Sequence, residues 1–304
     1  MITHRKAKNR MKKKGDFQYF LLKSVWILLS LIPLRIMYVL ADGLYYLLYY
    51  VLKYRRPVTH KNLSESFPEK SEAEITQIEK RFYRFLVDTF FETCKLATLS
   101  HKQIGKRMKF NNVEEVNADL NNGKSVSLYV GHYGSWEWYS SMTLYFSPEA
   151  IRGQVYQALH NRTTDRLMLS NRKRLGVNNI EMHETLRWIH KYHQEGKVTV
   201  TGYIADQSPS RHQIQHYVQF LNHCVPALTG TEKITKKYNF SVFYLDVKRV
   251  KRGYYEATFV RMHDNPQALP NFQLTDLFYQ YLEKNIRRQP ELYLWTHKRF
   301  KFAK

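Results

Sequence analysis

The chain has 304 residues, with 48 Lys and Arg against 26 Asp and Glu, a formal charge of +22. With 43% hydrophobic and 15% aromatic residues it buries a large core, which excludes disorder over most of its length. Two cysteines, Cys94 and Cys224, are too few for a disulfide scaffold and have no metal-ligand spacing, so a reducing compartment is expected.

Residues 1–16 read as a basic, cytoplasmic N-terminal segment, because Arg5, Lys6, Lys8, Arg10, Lys12, Lys13 and Lys14 precede any acid. Residues 17–52 form an apolar tract, interrupted by Lys23, Pro33, Arg35 and Asp42, and read as a membrane anchor. Its halves, Phe17–Leu34 and Ile36–Leu52, have 18 and 17 residues, near the lower limit for crossing a bilayer. Pro33 and Arg35 argue against one uninterrupted rod. The first half can span while the second lies in the interface, or both can form a hairpin in one leaflet. A buried helix pair in a soluble domain is the third arrangement. The basic run ahead of the tract and the cluster Tyr45, Tyr46, Tyr49 and Tyr50 favour attachment, positive side in the cytoplasm. A secretory signal fits poorly, since the tract is long and Ala41-Asp42-Gly43 is a weak cleavage site.

Residues 53–304 carry no low-complexity linker and read as one domain. Ser71 and Glu74 form a capping box ahead of a long amphipathic helix marked by Ile75, Ile78, Phe82, Phe85, Leu86 and Phe90. From Gly123 the texture changes. Ser125–Val130, Lys197–Ile204 and Phe240–Val247 predict buried strands; Ser135–Phe146, Thr163–Leu175, Glu184–Glu195 and Thr231–Tyr238 predict helices. Gly176 and Gly196 stand at C-cap positions, residues 251–254 form a hairpin turn, and a last helix runs Leu274–Arg288. This alternation predicts an α/β fold in which a central parallel or mixed sheet is flanked by helices.

The stretch from Ser125 to Trp138 is the richest in chemistry. A hydrophobic strand runs into Gly131, then His132, then the predicted helix. With His132 on the strand-to-helix turn, Glu137 in the first helical turn can point back at the imidazole. Gly131 and Gly134 supply the backbone angles that such a turn needs. A carboxylate on one ring nitrogen fixes the tautomer and frees the other to take a proton from a hydroxyl. A structural histidine at a strand end has the same spacing. No Gly-x-Ser-x-Gly elbow or Gly-rich phosphate loop is present, and neither cysteine has a catalytic signature. His190/His193 and His212/His216 lack a third ligand cluster, so no metal site is expected.

Four segments in order resemble the lipid A biosynthesis acyltransferase family, the lauroyl/myristoyl transferases related to bacterial lysophospholipid acyltransferases. They are Asn62-Leu63…Phe67-Pro68, the His132-x4-Glu137 motif, Asp206-Gln207 with the downstream Gly230, and Pro290…Trp295-Thr296-His297-Lys298-Arg299-Phe300-Lys301. The resemblance implies a glycerolipid acyltransferase-like fold, with 53–304 as the catalytic domain at the cytoplasmic face of the inner membrane. It implies transfer of a fatty acyl chain from an acyl carrier protein or CoA thioester to a hydroxyl of a lipid A precursor. His132 would be the general base and Glu137 its orienting partner, with no cofactor and no metal. Gln157, Asn161, Arg172, Asp206, Gln207, Gly230, His297, Lys298 and Arg299 would bind substrate. Lys298, Arg299 and Lys301 are read as exposed groups for phosphate, with Trp295 packed beneath. Gln157 stands where the family usually has a basic residue, and Lys298 where many members have Arg. The charge of +22 suits an acidic carrier and a phosphate-bearing acceptor. Two other readings are a lysophospholipid or amino-acid-lipid acceptor and, from another class, a membrane-tethered basic protein for nucleic acid. The aromatics lie in apolar segments without a recognition motif, so no nucleic acid partner is expected.

Overall fold

In the computed structural model the backbone is described from residue 2 and the side chains from residue 16. The basic side chains expected to mark the cytoplasmic end, Arg5 to Lys14, lie outside the described residues. Helix α1 (Ile2–Leu31) and helix α2 (Leu34–Tyr46, extended by a π-helical turn Leu47–Val51) meet across Pro33. Residues 16–31 and 34–51 are set at 110° to each other, because Pro33 cannot continue the first helix. Among the described residues no single helix is long and apolar enough to cross a membrane; this bent pair qualifies only by length and composition.

After α3 (Arg56–Ser66), helix α4 (Glu72–Lys95) starts from the expected Ser71/Glu74 capping box. Its amphipathic face packs the bent pair onto the rest of the chain. Met37, Ala41, Tyr45 and Tyr49 share one buried core with Phe82, Tyr83 and Phe85. Lys95 Nζ donates to the carbonyls of Ser30 (2.6 Å) and Ile32 (2.9 Å), closing the end of α1. The opposite faces of the pair stay bare. Phe17 is 69% exposed and Val39 70%, in company with Leu21, Leu28, Leu47 and Val51.

The remainder alternates as α5 (His101–Arg107), β1 (Met108–Asn111), α6 (Val113–Asn121), β2 (Val126–Val130), β3 (Ile151–Tyr156), α7 (Arg162–Lys173) and β4 (Asn178–Glu181). It continues with α8 (Thr185–Gln194), β5 (Thr199–Ile204), β6 (Tyr217–Phe220), β7 (His223–Pro226), α9 (Gly230–Lys237), β8 (Ser241–Lys251), β9 (Tyr254–His263) and α10 (Gln273–Arg288). Seven strands form one mixed sheet in the order β1-β9-β8-β2-β5-β3-β4, and β6-β7 is a separate hairpin. Strands β8, β2, β5, β3 and β4 run parallel; β9 and β1 run the other way. Helix α10 covers one sheet face, where Phe278 packs on Tyr129 and Tyr244. On the other face Trp138 lies against Tyr255 and donates to the Glu92 carbonyl of α4.

The expected helix at Ser135–Phe146 is instead a 3₁₀ helix, Trp136–Leu144. The hydroxyls of Ser140, Ser141 and Thr143 each donate to the carbonyl three residues earlier (2.7, 2.7 and 2.9 Å), which favours the tighter winding. Gly176 and Gly196 take the left-handed angles expected of C-caps, with φ of +80° and +66°.

Candidate active site

The site forms at the carboxyl ends of β2 and β5, where the chain's path through the sheet changes direction. After β2 it moves past β5's place to β3, and after β5 it returns to β8 on the far side of β2. Crevices for ligands open at such a point. The β2 run leads through Gly131 to His132, and the β5 run ends at Ala205-Asp206, whose backbone is tied to β2 by Ala205 N–H to Val130 O (3.0 Å).

The two glycines do different jobs. Gly134 has φ +66° and supplies the left-handed turn. Gly131 does not; a Cβ there would lie 2.8 Å from Leu282 Cδ1 of α10, so its role is close approach.

His132 Nδ1 is 2.7 Å from Asp206 Oδ1, and the His132 backbone N–H donates to the same oxygen at 3.2 Å. Asp206 is 0% exposed, and its other oxygen accepts from Arg299 Nη2 at 2.8 Å. Burial alone would raise the Asp206 carboxyl, yet the charges of His132 and Arg299 hold it below the ordinary carboxylate range. An ionised Asp206 can only accept, so Nδ1 carries a hydrogen and, in the neutral ring, Nε2 is the bare nitrogen. His132 opens on a groove of ≈ 540 Å³. Trp136, Met168, Met182, Ile204, Leu228 and Leu294 give the groove an apolar wall, while Glu137, Gln154, Gln157, Arg172 and Gln207 give it polar points.

The carboxylate that touches the imidazole is therefore Asp206, not Glu137 as local spacing suggested. Glu137 lies in the groove, but its two oxygens are held by Arg172 of α7, Nε at 2.9 Å and Nη2 at 2.6 Å. Both side chains are nearly buried, 10% and 12% exposed. Burial pulls the Arg172 guanidinium down, but the Glu137 charge raises it above its ordinary value. Arg172 Nη1 has no partner among the described residues and remains available to a ligand.

Arg299 is likewise not an exposed phosphate group. It is 4% exposed, and the positive charge it carries is spent on Asp206. Trp295 is buried and donates to the Pro290 carbonyl. Lys298 stays exposed; His297 is half-buried, and burial first and then the charge of Arg299 lower its imidazole. Asn161 caps α7 by accepting from the Thr164 N–H (3.0 Å), and Gly230 opens α9; neither lines the groove. Sequence reasoning gave no role to Gln154, which is buried with its Oε1 unpartnered, nor to Asn62. Asn62 Nδ2 donates to the carbonyls of Trp295 and His297, both at 2.9 Å, and so clasps the segment that carries Arg299. The same segment is stitched to the turn that carries His132 by Gly134 N–H to Leu292 O (2.9 Å) and Leu294 N–H to His132 O (3.2 Å).

Residues 4–302 match the model of the bacterial lipid A biosynthesis acyltransferase family. The chain is also 22% identical over 273 residues to a lipid A biosynthesis acyltransferase of Haemophilus influenzae, covering 88% of this chain and 83% of the relative. With the match spanning nearly its whole length, the chain belongs to the bacterial lipid A biosynthesis acyltransferase family and is an acyltransferase.

Proposed function

We propose that the protein transfers a fatty acyl chain from a thioester, on acyl carrier protein or CoA, to a hydroxyl of a lipid A precursor. His132 Nε2 takes the hydroxyl proton as the oxygen attacks the thioester carbonyl carbon. Asp206 stabilises the imidazolium that results, and Arg299 keeps Asp206 ionised. The tetrahedral intermediate bears its negative charge on the former carbonyl oxygen, and Arg172 is the one Arg or Lys among the described residues lining the groove that can donate to it. Collapse expels the thiolate, which recovers the proton from His132. Glu137 serves by fixing Arg172, not by touching the imidazole. The apolar wall of Met168, Met182, Ile204 and Leu228 holds the acyl chain out of water.

The bare apolar side chains of α1 and α2 support attachment of this catalytic unit to a membrane, which we place at the cytoplasmic face of the inner membrane on the positive charge of the N-terminal sequence. The bend at Pro33 suits helices lying in one leaflet better than a single span.

The observation that carries this reading is the His132–Asp206–Arg299 string opening onto a largely apolar groove. Purified enzyme supplied with an acyl thioester and a lipid A precursor tests it by mass spectrometry of the product. His132→Ala should lower transfer roughly 10²–10⁴-fold with the fold intact. Near-normal turnover in that variant would refute the assignment.

A further inference from the structure

A second cleft, of ≈ 700 Å³, opens between α2, α4 and the β8–β9 hairpin and shares no residue with the groove at His132. Five cations line it, Arg81, Arg84, Arg249, Lys251 and Arg252, against the carboxylates of Asp42 and Asp88. Arg252 is committed to both acids, at 2.8 and 2.6 Å. Arg249 and Arg81 meet a single further carboxylate, Glu291, at 3.4 and 3.8 Å. Arg84 and Lys251 have no carboxylate within 4.0 Å among the described residues. Each lies over a ring instead, Arg84 on Tyr45 (4.9 Å) and Lys251 on Tyr254 (4.4 Å). Five positive charges thus face three negative ones, and the excess is gathered where it repels itself unless an anion enters.

The rim of the cleft is apolar on one side. Tyr45 and Tyr46 of α2 line it, and the exposed surface continues from Tyr46 to Leu47 and Tyr50. A free ion gains nothing from that rim, whereas an amphiphile gains from both halves of the surface.

We propose that this cleft seats the phosphate headgroup of an anionic membrane lipid, gripped by Arg84 and Lys251, while the lipid chains lie along the bare face of α2. The lipid is not consumed; it fixes how the protein sits on the bilayer. This rests on the reading of residues 17–52 as membrane-attached.

Co-sedimentation of the full chain with vesicles of phosphatidylcholine alone, or of phosphatidylcholine with phosphatidylglycerol, tests it. Arg84→Ala/Lys251→Ala should reduce the gain in affinity from the anionic lipid about 30-fold. Arg35→Ala/Lys53→Ala, an equal loss of charge on the bent helical pair and just past its end, should reduce it only a few-fold. The swap Arg84→Lys/Lys251→Arg should restore most of the gain. Equal losses in the two alanine pairs would overturn the proposal, as would release of the protein from vesicles by millimolar inorganic phosphate at constant ionic strength. Binding to neutral vesicles with no anionic gain would remove the cleft assignment alone. Failure to bind either vesicle would remove the membrane reading with it.

Discussion

Glu137 and Asp206 show how a carboxylate's role is set by what surrounds it. Both are buried and both lie beside His132's groove, yet each is claimed by a different cation: Arg172 grips Glu137 and Arg299 grips Asp206. Removing one member of a nearly dry pair strands the other's charge, at a cost of about 3–5 kcal/mol. Glu137→Ala should therefore lower the unfolding free energy by roughly that amount, while Glu137→Leu combined with Arg172→Met should recover much of the loss and still fail to transfer acyl chains. Chemical denaturation alongside the transfer assay reads both outcomes; a double variant as unstable as the single one contradicts the pairing. The His132-x4-Glu137 spacing is plain in the sequence, but it could not disclose which acid touches the ring. Asp206 lies 74 residues from His132 along the chain and is brought beside it only by the pairing of β2 with β5. The one local sign was its place at the end of a buried strand, where sites in such sheets gather.

Among the elements, those fully enclosed by apolar neighbours were the easiest to read. Strands β2 and β5 are buried along their length, and their Val, Leu, Tyr and Ile runs stand out. Strands β3 and β4 do not, because Ile151-Arg152-Gly153-Gln154 and Asn178-Asn179-Ile180-Glu181 mix polar residues at the sheet's outer side. The 3₁₀ helix was hidden by a local choice, the hydroxyl bonds that tighten residues 136–144. Contacts between elements carry a further consequence at Glu92 of α4. Its carboxylate accepts from Tyr38 of α2 (2.8 Å) and Tyr255 of β9 (2.9 Å), and burial pushes it up to about 7 from an ordinary 4.5. Below pH 4.5 folded and unfolded chains both hold the proton, and Glu92 favours neither. Between pH 4.5 and 7 the unfolded chain releases it while the fold retains it, so stability declines as pH rises; above 7 the full penalty persists. Glu92→Gln, which keeps the hydrogen-bonding shape, should flatten this decline. Thermal unfolding at pH 5 and pH 8 checks it: the wild type should lose more Tm than the variant, and equal losses would contradict a proton held in the fold.

For the molecule as a whole, the sheet, the clasp from Asn62 and the bent helices form a continuous structure in which the apolar surface left bare is concentrated on α1 and α2. The apolar content of residues 17–52 was evident from composition; their 110° bend and their packing on α4 were not, since these depend on Pro33 meeting a partner surface elsewhere in the chain. If that bare face sits in lipid, a charge placed on it costs little in the fold and much in attachment. Leu28→Asp with Val39→Asp should move the protein from the membrane fraction to the soluble one, while transfer to a detergent-dispersed acceptor persists. Retention in the membrane fraction would contradict the assignment of that face.

The central claim is that Asp206 presents His132 as a base to the acceptor hydroxyl. Its most direct test is kcat for acyl transfer by Asp206→Asn, measured beside His132→Ala with unfolding profiles for both. The account predicts that Asp206→Asn, which removes the negative charge that stabilises an imidazolium, falls by about 10²-fold or more while remaining folded. A folded Asp206→Asn enzyme turning over within a few-fold of the wild type would contradict it.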